Sequence, residues 1–124
     1  MRSIVGIGVA GAFGALSRYG LEGLVSDRFS GSVPLGTFVV NITGSFALGL
    51  LFVILTERTA IDPVIRTSLT IGFLGAYTTF STFSFETVRL LEDGAYATAA
   101  LNVVATIALG LVGVWAGMAV GRAV

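Results

Sequence analysis

A run of hydroxyl and aromatic residues over positions 72–86 contains the side chains of this sequence that are best suited to binding an ion. Phe80 and Phe83 are three residues apart, so both lie on one helix face. An aromatic ring has a positive edge, and rings presented edge-on attract a small anion that has lost its water. The polar groups that replace this lost hydration are Ser81, Thr82 and Ser84, followed by Glu86. Either the segment lines a path for a small, strongly hydrogen-bonding anion, or it is aromatic packing whose hydroxyls bond to their own backbone.

The same segment contains signals that interrupt a helix. Gly72 and Gly75 weaken it, and the hydroxyls of Thr78 and Thr79 compete for local backbone carbonyls. We therefore predict a break near residues 75–79. At membrane depth such backbone is tolerated only when it is buried in protein or lines a cavity. Freed carbonyls suit a bound cation, and a break on a dimer axis would offer one ion symmetric oxygens from two subunits.

Two other segments have polar stripes on apolar helices. Asn41 is followed one turn later by Ser45, and Asn102 is followed one turn later by Thr106. A single buried Asn is usually a hydrogen-bonding contact between helices, worth about 1 kcal/mol. Polar stripes on three segments favour a shared pathway, but both interpretations remain open.

Arg18 lies near the end of the first apolar segment, where a charge in lipid is costly unless it faces water or a partner. In a vestibule this side chain would attract anions. The structural alternative is an ion pair with Glu22, four residues later.

The composition indicates what must position these groups. Of the 124 residues, 55% are hydrophobic and only 11% are charged, whereas soluble domains have about 25% charged residues. Seven basic and seven acidic residues are too few to coat a soluble globule and form no basic face for nucleic acid. The absence of Cys and His removes the usual nucleophile and general base, so we expect no enzyme. We therefore expect lipid to surround the whole chain.

Charged residues divide the chain into four apolar segments, each near the about 20 residues that cross a bilayer. We predict an all-α membrane protein with one transmembrane domain over residues 1–124. Its spans cover about 4–25, 37–56, 66–91 and 95–121. Pro34 and Gly36 mark the loop before Thr37 begins the second span, and Asp62-Pro63 suits the start of the third.

Small residues and charges suggest how the helices pack and insert. Gly113, Gly117 and Gly121 form a ridge that permits close helix contact in lipid. With an even number of spans, four Arg residues lie on the side of the termini and three on the other, which is a weak orientation bias. Insertion in both orientations would allow an antiparallel homodimer with a two-fold axis in the membrane plane.

Three stretches together resemble the Fluc/CrcB family of fluoride channels. They are GAFGALSRY at 11–19, GTFVVNITGSF at 36–46 and TTFSTF at 78–83. The resemblance implies a plasma-membrane, dual-topology homodimer with two pores that lets fluoride leave the cell passively and protects against its toxicity. Beside Gly75 the chain departs mildly from the family, which often has Cys, Gly and Phe where Leu74, Ala76 and Tyr77 stand.

The resemblance also implies roles for individual residues. Gly75 and Thr78 correspond to positions whose carbonyls hold a structural sodium ion at the dimer centre, and Arg18 corresponds to the vestibule arginine. The residues implied to line the fluoride pore are Asn41, Phe80, Phe83, Ser81, Thr82, Ser84, Thr106 and Glu86.

Three other functions are alternatives to a channel. A four-helix drug exporter needs a carboxylate within its first membrane helix, and residues 4–17 contain no acid. A structural subunit of a larger complex would conduct no ions when purified. An enzyme is the weakest alternative, because no nucleophile and base pair can be assembled without Cys or His.

Overall fold

The computed structural model describes all 124 residues, and every regular element is helical. Helix α1 spans Arg2–Arg28, α2 spans Leu35–Val53 and α6 spans Tyr96–Ala123. A π-helical segment, Ile54–Arg58, continues α2. The remaining segment is divided into α3 (Pro63–Thr67), a π-helical segment (Ser68–Leu74), α4 (Gly75–Tyr77) and α5 (Phe80–Glu92).

Three continuous helices are long and apolar enough to cross a membrane: Arg2–Arg28, Leu35–Arg58 and Tyr96–Ala123. The divided segment at 63–92 contains no single helix of that length. Only 17 of the 124 residues are buried, so most apolar side chains point away from the protein interior. Large exposed groups include Trp115, Leu111 and Leu101, which is the pattern of a protein that lipid surrounds.

The second helix begins earlier than the sequence indicated. Its first residue is Leu35, with Pro34 at the N-cap, so Gly36 lies inside the helix and not in the preceding loop. A side chain at Gly36 would meet the backbone of Glu22 at 3.1 Å. Glycine therefore suits the close approach of α1 and α2 at this position, which local sequence signals do not reveal.

The start of the third segment agrees with its sequence signal. Pro63 occupies the first helical turn, and the Asp62 carboxylate accepts the Val64 N–H at 2.7 Å. A proline in the first turn loses no helical hydrogen bond, and an Asp cap satisfies one exposed donor.

Helices α2 and α6 pack most extensively on each other. A Cβ atom added at Gly117 would overlap the carbonyl oxygen of Phe46, and one at Gly121 would lie 2.9 Å from Val53. Val53 and Val40, both on α2, are completely buried. The glycine ridge thus packs within one chain, where it brings two backbones into direct contact.

Ion pairs gather both termini and the loop after α2 at one end of the molecule. Arg2 lies 3.7 Å from Asp62, and Arg122 lies 3.4 Å from Glu57. All four side chains are well exposed, so these pairs add little stability. They show, however, that the chain returns to the same side after its second helix and again at its C-terminus.

Candidate functional site

The centre of the site is a two-residue interruption between α4 and α5. Thr78 and Thr79 are both extended, with ψ values of 154° and 111°. Thr79 is the N-cap of α5, and its Oγ1 accepts the Thr82 N–H at 3.2 Å. Threonine favours this position because its hydroxyl competes with the helical backbone, so the local sequence explains why α5 starts here.

Asn41 on α2 holds the interruption through both ends of its amide. Its Oδ1 accepts the Thr79 N–H at 2.8 Å, and its Nδ2 donates to the Thr79 carbonyl at 3.0 Å. Thr79 is only 7% exposed, so without Asn41 both of its backbone groups would lose their partner in a region with little water. The amide that the sequence suggested for the pore therefore also stabilises the extended backbone.

The interruption frees two carbonyl oxygens. In a continuous helix the Thr79 N–H would donate to Gly75 and the Thr82 N–H would donate to Thr78. Instead, the first bonds to Asn41 and the second bonds to the Thr79 side chain. The carbonyls of Gly75 and Thr78 therefore lack their helical N–H donors. Neutral carbonyl oxygens are ligands of the kind that bind an alkali cation. These two carbonyl oxygens thus fit as ligands of the sodium ion that the family resemblance implies.

A groove of about 470 Å³ runs beside this interruption. Phe80 and Phe83 form one wall, with ring centroids 5.7 Å apart and planes inclined at 48°. Phe83 is 8% exposed, whereas Phe80 is 78% exposed and lies at the outer edge of the single chain. The polar residues that line the groove are Asn41, Ser45, Thr70, Thr78, Thr79 and Thr106.

Thr106 contributes an unsatisfied polar atom. Its Oγ1 is buried and has no hydrogen-bond partner. A buried hydroxyl without a partner costs about 1–3 kcal/mol, so a partner from outside the chain would stabilise it. The groove therefore offers a free hydroxyl beside two aromatic rings.

The hydroxyl groups carried by α5 itself lie outside this groove. Thr79 Oγ1 donates to Thr82 Oγ1 at 3.0 Å and lies 3.4 Å from Ser81 Oγ. Ser84 donates to the Phe80 carbonyl at 2.9 Å. Thr82 and Ser84 thus bond within α5 and its cap, which is the alternative that the sequence left open for these hydroxyls, while Ser81 remains exposed.

Glu86 lies in a second, polar cavity of about 450 Å³ at the end of α5. Its Oε1 accepts a hydrogen bond from Thr37 at 2.8 Å, and its Oε2 is buried without a partner. Glu22 lines the same cavity and also has one buried, unpartnered oxygen. Two carboxylates thus face a space that the loop between α1 and α2 also lines.

Arg18 and Asn102 occupy separate positions. Arg18 is half-buried on α1 and takes part in no ion pair or hydrogen bond, so the pairing with Glu22 does not form. Asn102 donates to Thr87 Oγ1 at 3.0 Å and is 8% exposed, so it connects α6 to α5. It is an interhelical contact, whereas Thr106 one turn later faces the groove.

Sequence reasoning missed three residues of this region. Thr79 was considered only as a helix-breaking hydroxyl, although a Thr three residues before a helical N–H is an ordinary capping signal. Thr37 and Glu22 contact or face Glu86 from other helices. No local pattern indicates contacts between residues so distant in the chain.

The fold and site define a multi-pass membrane protein in which an interrupted helix presents polar and aromatic groups beside an apolar helix pair. A family model described as CrcB-like protein, Camphor Resistance (CrcB), matches residues 5–118. The chain belongs to this family.

Curated relatives cover nearly the whole chain. A protein of Geotalea daltonii is 48% identical over 98% of both chains, and one of Nitratidesulfovibrio vulgaris is 46% identical over 100% of both. A protein of Geobacter sp. (strain M21) is 49% identical over 99% of both. Each of these relatives is named a fluoride-specific ion channel, FluC.

Proposed function

We propose that this chain is a subunit of a fluoride channel that lets the anion leave the cell passively through the plasma membrane. The observation that carries this proposal is the near-complete coverage by relatives named fluoride-specific ion channels at 46% to 49% identity. The protein performs no catalysis, and export lowers the cytoplasmic concentration of fluoride. A purely structural role is disfavoured, because such a role gives no reason for an interrupted helix beside a groove that carries amide and hydroxyl groups.

The groove beside α5 forms one part of each fluoride pore. Asn41 and Thr106 supply hydrogen-bonding groups there, while Phe80 and Phe83 supply ring edges. The path continues past Ser81, Thr82 and Ser84 to Glu86 in the polar cavity. Arg18 raises the local anion concentration at a vestibule.

A second subunit completes each pore. Phe80 is 78% exposed in the single chain, which is unusual for a ring that must contact a dehydrated ion. An antiparallel homodimer with two pores would cover this ring and the open side of the groove. The shared end of both termini and the loop after α2 supports four spans, with residues 63–92 as an interrupted third span.

The carbonyls of Gly75 and Thr78 would hold a structural sodium ion at the centre of this dimer. The two diverted N–H donors support this assignment, since they leave both oxygens without their helical partners. When bound, this cation would offset the repulsion between carbonyl oxygens that meet from both subunits. The chain itself fixes those carbonyls through Asn41 and the Thr79 cap.

Fluoride efflux from liposomes tests the proposed function directly. Purified protein is reconstituted, valinomycin balances charge with potassium, and an electrode records fluoride release beside a parallel chloride measurement. We expect rapid fluoride release and no chloride release. A folded protein that releases neither ion would contradict the channel and support the structural subunit.

Insertion in both orientations is tested separately with a reporter fused to the C-terminus. The Arg distribution of four against three predicts signals from both sides of the membrane. Reporter activity on one side only would contradict the antiparallel dimer, while leaving ion conduction to the efflux measurement.

A further inference from the structure

A hydrogen bond between two helices holds the interruption at a second point. The hydroxyl of Tyr77, the last residue of α4, lies 2.8 Å from the hydroxyl of Thr43 on α2. Thr43 also lies 2.7 Å from the carbonyl oxygen of Val39 on its own helix. A threonine hydroxyl has one proton, which bonds to that carbonyl, so Tyr77 is the donor to Thr43. The result is a chain of two hydrogen bonds that ends on the backbone of α2.

Packing restricts the Tyr77 ring as well. It stacks on Phe73, with centroids 6.0 Å apart and planes 10° from parallel. A Cβ atom at Gly44 would overlap the Thr78 methyl group and lie 3.0 Å from Tyr77 Cδ1. The segment Tyr77-Thr78 is thus pressed against Gly44, a position of α2 that has no side chain. The Tyr77 hydroxyl is the polar end of a ring that already packs on Phe73 and against Gly44.

The two contacts from α2 act on different peptide groups. Asn41 bonds to the Thr79 N–H, and the Thr78 carbonyl points the opposite way because it belongs to the same trans peptide plane. The contact at Tyr77 acts on the other side of the interruption, on the short turn of α4 that begins at Gly75. Together they hold to α2 the two residues that flank Thr78.

We propose that Tyr77 is a positioning residue for the cation site, acting through its hydrogen bond to Thr43. The bond fixes the position of α4 relative to Thr78, so that the carbonyl oxygens of Gly75 and Thr78 bind the same ion. This inference rests on the proposed function for its sodium site but adds a residue that touches neither the ion nor the pore. Loss of the hydroxyl would lower sodium affinity without altering the groove.

The test is Tyr77→Phe, which removes one oxygen atom and keeps the ring. Unfolding of the purified dimer is followed at increasing sodium, with N-methyl-glucamine as the replacing cation. A neutral hydrogen bond of ordinary strength predicts that the half-saturating sodium concentration rises about two- to tenfold. A purely structural role would instead lower the unfolding temperature equally at zero and at saturating sodium. Saturating sodium should restore fluoride efflux in the variant.

Two matched variants define the contact. Tyr96→Phe removes a hydroxyl from an exposed ring at the start of α6 and should leave the sodium dependence unchanged. Thr43→Val removes the acceptor and keeps the shape, so it should shift the sodium dependence as much as Tyr77→Phe does. The double variant should show no further shift. If Tyr77→Phe fails to fold, Thr43→Val alone provides the measurement.

The outcomes separate this inference from the proposed function. Unchanged sodium dependence in Thr43→Val or in Tyr77→Phe overturns the positioning role, as does a wild-type protein that ignores sodium. Absence of fluoride efflux from wild-type protein overturns the proposed channel function, whether or not its unfolding depends on sodium. A shifted sodium dependence together with rescued efflux supports both.

Discussion

The pair formed by α2 and α6 differs from the interrupted segment at 63–92 in nearly every physical respect. The pair is continuous, apolar and in direct backbone contact at Gly117 and Gly121. The interrupted segment contains a π-helical stretch, two extended residues and a hydroxyl cluster held by side chains of other elements. The difference shows that the α2–α6 pair is regular along its contact, whereas the interrupted segment packs mainly on α1 and its break is held by hydrogen bonds from α2.

Adding one methyl group at the α2–α6 contact should give the largest loss of stability. In Gly117→Ala the new Cβ overlaps the Phe46 carbonyl, so the helices must separate. Such overpacking costs about 1–3 kcal/mol, and the thermal unfolding midpoint in detergent measures it. Gly8→Ala is the control, since a Cβ there meets nothing within 4 Å. Equal midpoints for both variants would show that the backbone contact does not stabilise the fold.

Removing the amide at the interruption should have the next largest effect. Asn41→Ala leaves the buried Thr79 N–H and carbonyl without their partner, at a cost of about 2 kcal/mol. Chemical unfolding measures this loss, and we expect fluoride efflux to fall with it. Ser45→Ala is matched, because Ser45 lines the same groove. If Ser45→Ala destabilises the protein as much, the bonds to Thr79 are not what stabilises the interruption.

Changing the groove rings should affect ion flow and leave the dimer intact. Phe80→Ile or Phe83→Ile removes an aromatic edge, and we expect fluoride efflux to fall about tenfold or more, which equals about 1.4 kcal/mol of barrier. Efflux is read with the electrode, and size-exclusion chromatography checks the dimer. The control is Phe85→Ile, an exposed ring on α5 that does not line the groove. Full efflux in both groove variants would contradict the aromatic pore.

The contact between the two regions should give the smallest effect. Asn102→Leu removes the hydrogen bond from α6 to Thr87 on α5, worth about 0.6–1 kcal/mol in a membrane protein. The unfolding free energies of this variant, Thr87→Val and the double variant form a cycle. We expect the double variant to lose no more than the larger single loss. Strict additivity would mean that the two side chains do not interact.

Local signals in the sequence predicted the segments and several of their features. Asp62-Pro63 indicated the start of the third segment, and Gly75 with Thr78 and Thr79 indicated where it departs from a helix. Aromatic and polar spacing, together with the family resemblance, indicated Asn41, Phe80, Phe83 and Thr106, and the structure gathers all four around one groove. The π-helical turns and the early start of α2 had no local signal, because both depend on packing between helices.

The sequence by itself determined that lipid surrounds this protein and where its apolar segments lie, because composition and the spacing of charges set the cost of exposure to water. It also determined the capping hydroxyl of Thr79, which acts on its own backbone. Only the tertiary structure decided that Asn41 and Thr43 reach the interruption, that Thr37 bonds to Glu86, and that the hydroxyl of Thr106 remains free. These contacts join residues on different helices, and their geometry depends on how closely glycine lets the backbones approach.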